Sequence, residues 1–240
     1  MTLILKNVTY TFPKKEIPVI AKLNLTVQQG EFVSLIGKSG TGKSTILKLI
    51  TGLLQADEGE ISINKKPVTL GDVGFMPQKD LLFPWRTILD NIMIGAEIKK
   101  EIKISKENAR SWLKKVGLSD YEQAYPNQLS GGMRQRVAFL RTLLTEKEVL
   151  LLDEPFGALD SITKKEMQAW LLSIWQELDK TIVFITHDLE EACYLSDRII
   201  LLKEDRKIEE TIVPLPRPRY QEMLHSQILV ELRKELEKKI

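Results

Sequence analysis

One cysteine, Cys193, stands among the 240 residues. A lone thiol excludes an internal disulfide and a cysteine-based zinc cage, a usage that suits a reducing compartment. An excess of one charge is also missing. With 35 basic and 33 acidic residues the net charge is +2, so there is no bulk electrostatic pull on nucleic acid. No apolar run approaches the roughly 18–20 residues that a membrane-spanning helix needs. The opening MTLILKNVTYTF alternates apolar and polar residues without a basic leader, so it reads as an edge strand rather than an export signal. These absences predict a cytoplasmic protein, and they leave docking onto a membrane-bound partner open. Internal repeats and low-complexity segments are absent as well.

What is present is an ordinary globular composition, 43% hydrophobic and 28% charged, at a length that can bury a sizeable core. Residues 2–12 and 22–27 alternate like half-buried strands around the loop Pro13–Pro18. EFVSLI (31–36) is a short buried strand that runs into glycines, and 43–54 follows at helical spacing. EGEISINKKPVTL (58–70) reads as a hairpin and 72–76 as another strand. From about 80 to 147 the pattern is mostly helical, with helices expected over 105–116, begun by Ser105, and over 131–145. Strands return as VLLLD (149–153), TIVFIT (181–186) and 198–202, with a helix over 163–179 between the first two. After PLPRPR (214–219) the tail 220–240 is helical in pattern. Buried strands alternating with helices predict a parallel sheet flanked by helices, and the middle block reads as an inserted helical subdomain.

The first chemical signal is Gly37-Lys38-Ser39-Gly40-Thr41-Gly42-Lys43-Ser44, which fits G-x-x-x-x-G-K-S/T between a strand and a helix. Glycines let the backbone curl so that its N–H groups face phosphate oxygens, and the following helix presents its positive end to the same anion. Lys43 is expected to reach the β- and γ-phosphates and the Ser44 hydroxyl to ligate Mg²⁺. A second signal closes the strand VLLLD: Asp153 can hold Mg²⁺ through water, and Glu154 can take a hydrogen bond from an attacking water as general base.

Leu129-Ser130-Gly131-Gly132-Met133-Arg134-Gln135 resembles the LSGGQ-type signature of ATP-binding-cassette (ABC) ATPases. Taken alone, Ser130 is a helix cap; at this distance before the Asp153 strand it matches the family's spacing. Gln78 stands where that family has its Q-loop glutamine, Ala158-Leu159-Asp160 resembles its D-loop, and His187 its switch histidine. Phe12 lies where an aromatic stacks on adenine, with Tyr10 the lesser candidate. The resemblance covers almost the whole chain. It implies a P-loop NTPase (RecA-like) α/β core with an antiparallel β subdomain and an inserted α-helical signature subdomain. It also implies an ATPase domain over 1–213 (core about 1–79 and 148–213, helical subdomain about 80–147) and a tail over 214–240.

The same resemblance implies that Glu154, His187, Lys43 and Gln78 carry the chemistry of ATP hydrolysis. Phe12, Gly37, Lys38, Ser39, Gly40, Thr41, Gly42, Lys43, Ser44, Thr45 and Gln78 would bind the nucleotide, and Ser44, Gln78 and Asp153 would surround Mg²⁺. Ser130, Gly131, Gly132 and Asp160 would reach a nucleotide held by a second, head-to-tail copy of the chain. The segment 80–91, including Phe83-Pro84-Trp85, together with PFGALD (155–160), THDLEEACYLSDRI (186–199) and PLPRPR, resembles the nitrate/sulfonate/taurine branch of importers. That branch implies a motor on the cytoplasmic face of the membrane, under permease subunits and indirectly served by an extracytoplasmic solute-binding protein, with no nucleic acid. A soluble ABC-type ATPase acting on a macromolecule and an exporter motor stay open as alternatives. Phe83–Trp85 reads either as a groove wall for a permease helix or as subdomain core. Phe139-Leu140-Arg141-Thr142 replaces the family's usual small residues, so different local helix packing is expected there. Cys193 is expected to be buried by packing.

Overall fold

A computed structural model describes residues 2–98, 104–157 and 159–240. In chain order the elements are β1 (Leu3–Tyr10), β2 (Ile20–Val27), β3 (Phe32–Ile36), α1 (Lys43–Ile50), β4 (Glu58–Ile63), β5 (Lys66–Pro67), β6 (Gly74–Met76), α2 (Ile88–Ile98), α3 (Lys106–Lys115) and α4 (Gly131–Leu143). They continue as β7 (Val149–Asp153), α5 (Ser161–Leu178), β8 (Thr181–Ile185), α6 (Leu189–Leu195), β9 (Arg198–Leu202), β10 (Ile208–Ile212) and α7 (Gln227–Lys239). Four strands form an antiparallel sheet in the order β2-β1-β4-β5, and six form a second sheet in the order β10-β9-β3-β8-β7-β6. In the second sheet β9, β3, β8, β7 and β6 run parallel, and β10 closes one edge antiparallel to β9.

Strands β3, β7 and β8 are buried along their whole length, as expected of parallel strands covered on both faces. Their side chains divide by period two between two cores. Val33, Leu35, Val149, Leu151, Val183 and Ile185 face the antiparallel sheet and α1. Phe32, Ile36, Leu150, Leu152, Ile182 and Phe184 join the core shared with the helices of the opposite face. Phe139 is buried and meets Trp170 of α5 edge-on at 5.0 Å between ring centroids, so the bulky residue after the signature is accommodated by an aromatic pair.

The helical segment is held together by buried hydrogen bonds as well as apolar packing. Asn91 of α2 is fully buried; its amide donates to the carbonyls of Phe83, Arg86 and Thr87 and accepts from the Phe83 N–H at 2.8 Å. That one side chain fixes the loop presenting Trp85, which is 71% exposed, while Phe83 is only half-buried and stacks edge-on against Trp85. Arg134 and Arg141 of α4 pin the preceding turn: Arg134 Nε lies 3.0 Å from Asp80 Oδ2, and Arg141 donates to the carbonyls of Asp80 and Leu81.

The C-terminal residues pack against α6. Arg219 is buried and donates to the carbonyls of Tyr194 and Ser196 at 2.8 and 2.7 Å, satisfying groups that the end of α6 leaves without helical partners. Burial pushes its guanidinium down to about 10. Arg217 stacks over Trp175 at 4.1 Å and pairs with Asp197 at 2.8 Å. Cys193 is 1% exposed, and burial raises its thiol to about 12, so the thiol is unreactive packing.

Several expected boundaries move. The helix expected over 43–54 ends at Ile50, because Gly52 adopts a left-handed conformation (φ 75°) right after it. The tail divides into a 3₁₀ turn over Gln221–His225 and α7, which starts on Ser226. Strand β10 is an addition that the sequence reading lacks; IEETI carries too many charges to look like a strand, and pairing with β9 creates it. Asn91→Ala is expected to lower stability by about 1–3 kcal/mol, since the Phe83 peptide loses its partners inside the protein. Thermal denaturation checks this, with Asn91→Asp as the isosteric control.

Candidate active site

The carboxyl ends of the parallel strands all deliver polar residues to one edge of the sheet, where open α/β folds hold ligands. Strand β3 ends at Ile36 and enters the glycine loop, β6 leads to Gln78, β7 ends in Asp153 and Glu154, and β8 leads to His187. Phe12, Val19, Ser39, Gly40, Gly42, Lys43, Ser44, Thr45, Gln78, Glu154 and His187 line a cleft of about 410 Å³ at that edge. The structure thus brings together residues scattered over the chain that the sequence reading had assigned to one site. Gly37, Lys38 and Thr41 belong to the same loop, and Asp153 borders the cleft through its contact with Ser44.

The loop's local geometry follows from its glycines. Gly37 (φ 146°) could carry no side chain, because a Cβ would sit 2.4 Å from the Leu202 carbonyl oxygen. Gly42 (φ 104°) starts α1 in a left-handed conformation that other residues rarely adopt. It also supplies no side-chain cap, whereas α3, α4, α5, α6 and α7 each begin on a Ser or Asp side chain that accepts a backbone N–H. The first N–H groups of α1 are therefore left for an anion in the cleft. Nothing within 4 Å faces the position of a Cβ on Gly40, so the loop is open where a polyphosphate would lie. These features fit a nucleotide.

Lys43 is buried, and its Nζ donates to the carbonyls of Gly37 and Lys38 at 2.7 and 2.8 Å, so the ammonium is held over the loop. Burial lowers its pKa, opposed by the charges of Glu154 and Asp153. Ser44 Oγ lies 3.4 Å from Asp153 Oδ1, and burial raises the Asp153 carboxyl above its ordinary value against the Ser44 hydrogen bond. A hydroxyl beside a carboxylate is a hard-oxygen donor pair suited to Mg²⁺. Glu154 sits in a left-handed backbone conformation (φ 50°) that turns its side chain into the cleft. One of its oxygens accepts from Gln78 Nε2 at 2.9 Å, and the other lies 2.5 Å from His187 Nε2.

Phe12 is 40% exposed at the cleft's rim and meets Tyr10 edge-on at 5.1 Å; Tyr10 itself is buried. Of the candidate residues, Ser130, Gly131, Gly132 and Asp160 do not line the cleft. Ser130 caps α4 by accepting the Met133 N–H at 3.3 Å, which uses an acceptor and leaves its own O–H proton for another group. Asp160 caps α5, accepting the N–H groups of Ile162 and Thr163 and the Thr163 hydroxyl. Ala158 of the D-loop-like segment lies outside the described residues. Sequence reasoning missed Lys164 and Glu191, whose ion pairs and hydrogen bonds flank His187, and Asn91, which holds the Phe83–Thr87 loop away from the cleft. Lone polar residues inside helices carry no signal of what they will meet across the fold.

A glycine loop over an uncapped helix, with a buried lysine, a Ser–Asp oxygen pair and a held glutamate at a parallel sheet's carboxyl edge, defines a P-loop nucleotide hydrolase. Comparison with known proteins gives the family. Residues 20–157 match the ABC transporter family model. The formylaminopyrimidine import ATP-binding protein ThiZ of Halalkalibacterium halodurans is 44% identical, over 93% of this chain and 88% of that protein. The aliphatic sulfonates import ATP-binding protein SsuB of Bacillus cereus is 40% identical, over 98% of this chain and 94% of that one. A solved dimeric structure of the ATP-binding cassette MJ0796 in a post-hydrolysis state, bound to ADP and phosphate, superposes with a TM-score of 0.80. That cassette is 35% identical, and the match covers 89% of this chain and all of that one. The chain belongs to the ABC transporter family and is one of its ATP-hydrolysing cassettes.

Removing the Lys43 ammonium should weaken nucleotide binding. For Lys43→Ala the expected loss is about 1.5–3 kcal/mol, the worth of a hydrogen bond to a charged group, read as a higher Kd by titration with a fluorescent ATP analogue.

Proposed function

We propose that this chain is the ATPase motor of an importer, working as a homodimer on the cytoplasmic face of a membrane beneath permease subunits. One observation carries the reading: Ser130, Gly131 and Gly132, at the N-terminus of α4, do not line the cleft that fits the nucleotide. A head-to-tail pair of chains completes the site, each ATP lying between one copy's Gly37–Ser44 loop and the other copy's Ser130–Gly132. The similarity to import ATP-binding proteins, and to a cassette solved as a dimer, supports both halves of the reading.

In this reading Phe12 stacks on the adenine, and Lys38, Ser39, Gly40, Thr41, Gly42 and Thr45 cradle the phosphates. Lys43 neutralises charge on the β- and γ-phosphates. Ser44 and Asp153, with Gln78 nearby, would hold Mg²⁺, which would supply further neutralisation of the phosphate oxygens. Glu154 accepts the proton of the attacking water, and His187 steadies the γ-phosphate as charge builds on it. The contacts of Glu154 with both Gln78 and His187 support placing all three around the same oxygen atoms. Asp160 belongs to the turn that meets the second copy. A domain division with an ATPase body over 1–213 and a tail over 214–240 is part of the same proposal.

The load is a membrane permease. Trp85 stands exposed on a loop that Asn91 holds from below, which suits an aromatic anchor for a helix of the partner. Transported solutes would be small, as for the formylaminopyrimidine and sulfonate importers to which the chain is similar, with selection made by the permease and an extracytoplasmic solute-binding protein.

Glu154→Gln should bind Mg-ATP without turning it over and accumulate as a dimer. Light scattering at saturating Mg-ATP checks this, and a variant that stays monomeric contradicts the shared site. Trp85→Glu should weaken recovery of a detergent-stable complex with a polytopic membrane protein by about 2 kcal/mol or more. ATPase activity stimulated by nucleic acid, with no membrane partner recovered, would instead favour a soluble ATPase acting on a macromolecule.

A further inference from the structure

His187 sits between two residues, buried Thr186 and part-exposed Asp188, that belong to one cluster of hydrogen bonds and ion pairs. On one side, the Thr186 hydroxyl bonds Glu191 Oε2 and accepts the Asp188 N–H at 3.0 Å. On the other, Asp188 caps α6, its Oδ1 accepting the Glu190 N–H at 2.9 Å and the Glu191 N–H at 3.4 Å. The cation of the cluster comes from another element. Lys164, in the first turn of α5, places its Nζ 2.9 Å from Asp188 Oδ2 and 2.7 Å from Glu191 Oε1. Glu191 is 4% exposed, so its carboxylate depends on Lys164 and Thr186 for compensation.

The rest of α6 is held just as firmly. Arg233 of α7 pairs with Glu190 at 2.8 Å, and Arg219 fills the carbonyl end. A helix of seven residues thus takes its position from side chains of three other segments. Among them Lys164 acts on the end that carries His187, whose Nε2 is 2.5 Å from Glu154 Oε1. Lys164 also belongs to the turn that Asp160 begins: its N–H donates to the Asp160 carbonyl at 2.9 Å.

We infer that Lys164 is a positioning residue of ATP hydrolysis. Through Glu191, Thr186 and Asp188 it fixes the peptide that presents His187 to the reacting phosphate, and through α5 it ties that presentation to the Asp160 turn. The inference rests on the reading of His187 given above, and it adds a physical link between the surface that meets the second copy and the histidine in the same chain's cleft. A displacement of the Asp160 turn on dimer closure moves α5, and the two short ion pairs of Lys164 carry that movement to His187. Lys164 does not line the cleft, so its loss acts on turnover and leaves nucleotide binding in place.

The test uses the full chain and compares steady-state ATPase, nucleotide-binding stoichiometry and melting temperature. Lys164→Met should lower kcat by about tenfold to a hundredfold, the cost expected when a reacting group is displaced by about an ångström. KM for ATP should stay within about twofold, with one nucleotide still bound per chain. Lys164→Arg should restore most of kcat, because it keeps a cation within reach of both carboxylates. Should Lys164→Met fold poorly with Glu191 left uncompensated, Lys164→Met/Glu191→Gln removes the buried charge together with its partner and should still show the low kcat. The inference is overturned by a kcat within about twofold of the parent in the single variant, or by recovery of full kcat in the double variant. His187→Ala is run alongside. Full activity there sinks the assignment of the histidine itself, whereas an inactive His187→Ala beside a fully active Lys164→Met sinks only the role of Lys164.

Discussion

Strand β8 lies between β3 and β7 in parallel register, with Ile185 level with Leu35 on one side and with Asp153 on the other. Strand β6 continues the alignment, Met76 standing level with Leu152. Because the strands run the same way and end within a residue or two of one line, the residues that follow each of them emerge together. The glycine loop, Gln78, Glu154 and His187 are neighbours first of all for that reason. Shifting any one strand by a residue would exchange the two faces and put its apolar side chains into the wrong core. Core packing and site geometry are therefore one constraint.

Electrostatics at the sheet edge follow from how deeply each group is set. Lys43 and Asp153 lie deep, and burial pushes each toward its neutral form while their partners oppose the change. Such groups gain from a ligand that brings opposite charge: phosphate for the lysine, a divalent cation for the aspartate. Glu154 sits one residue further out, beyond the end of β7, where Gln78 and His187 reach it from two other strands. A single step along the chain thus separates a buried carboxylate beside Ser44 from one reached by Gln78 and His187.

Arginine and lysine side chains do much of the work of joining separate elements. Arg134 and Arg141 fasten the segment after Gln78 to the helix that begins at Ser130. Arg198 fastens β9 to Glu31 and, at the edge, to Glu210 of β10. Arg219 and Arg233 hold α6 from the tail, and Lys164 holds it from α5. Most of these cations donate to backbone carbonyls or to partly buried carboxylates, where geometry is fixed and water screens less than at an open surface. The functional loops are consequently mounted on packed elements and do not depend on their own short lengths of chain.

The glycine loop, the acidic end of VLLLD and the capped Ser-Gly-Gly helix were legible in the sequence because each is a local pattern with a local physical cause; His187 was legible only through the resemblance to ABC ATPases. The buried strands were legible too, since continuous apolar runs between helices predict a parallel sheet. Strand β10 was not legible: IEETI becomes a strand only because β9 offers it an edge to pair with. Nor were Asn91, Lys164 or Glu191, polar residues inside helices whose roles come from what they meet far along the chain. The sequence by itself determined the glycine loop between a strand and a helix, the acidic pair that ends β7, and where most of the chain turns. Only the tertiary structure decided that Ser130 does not line its own chain's cleft and that Lys164 pairs with Asp188 and Glu191 on either side of the turn after His187, because both depend on distances between segments that no local pattern encodes.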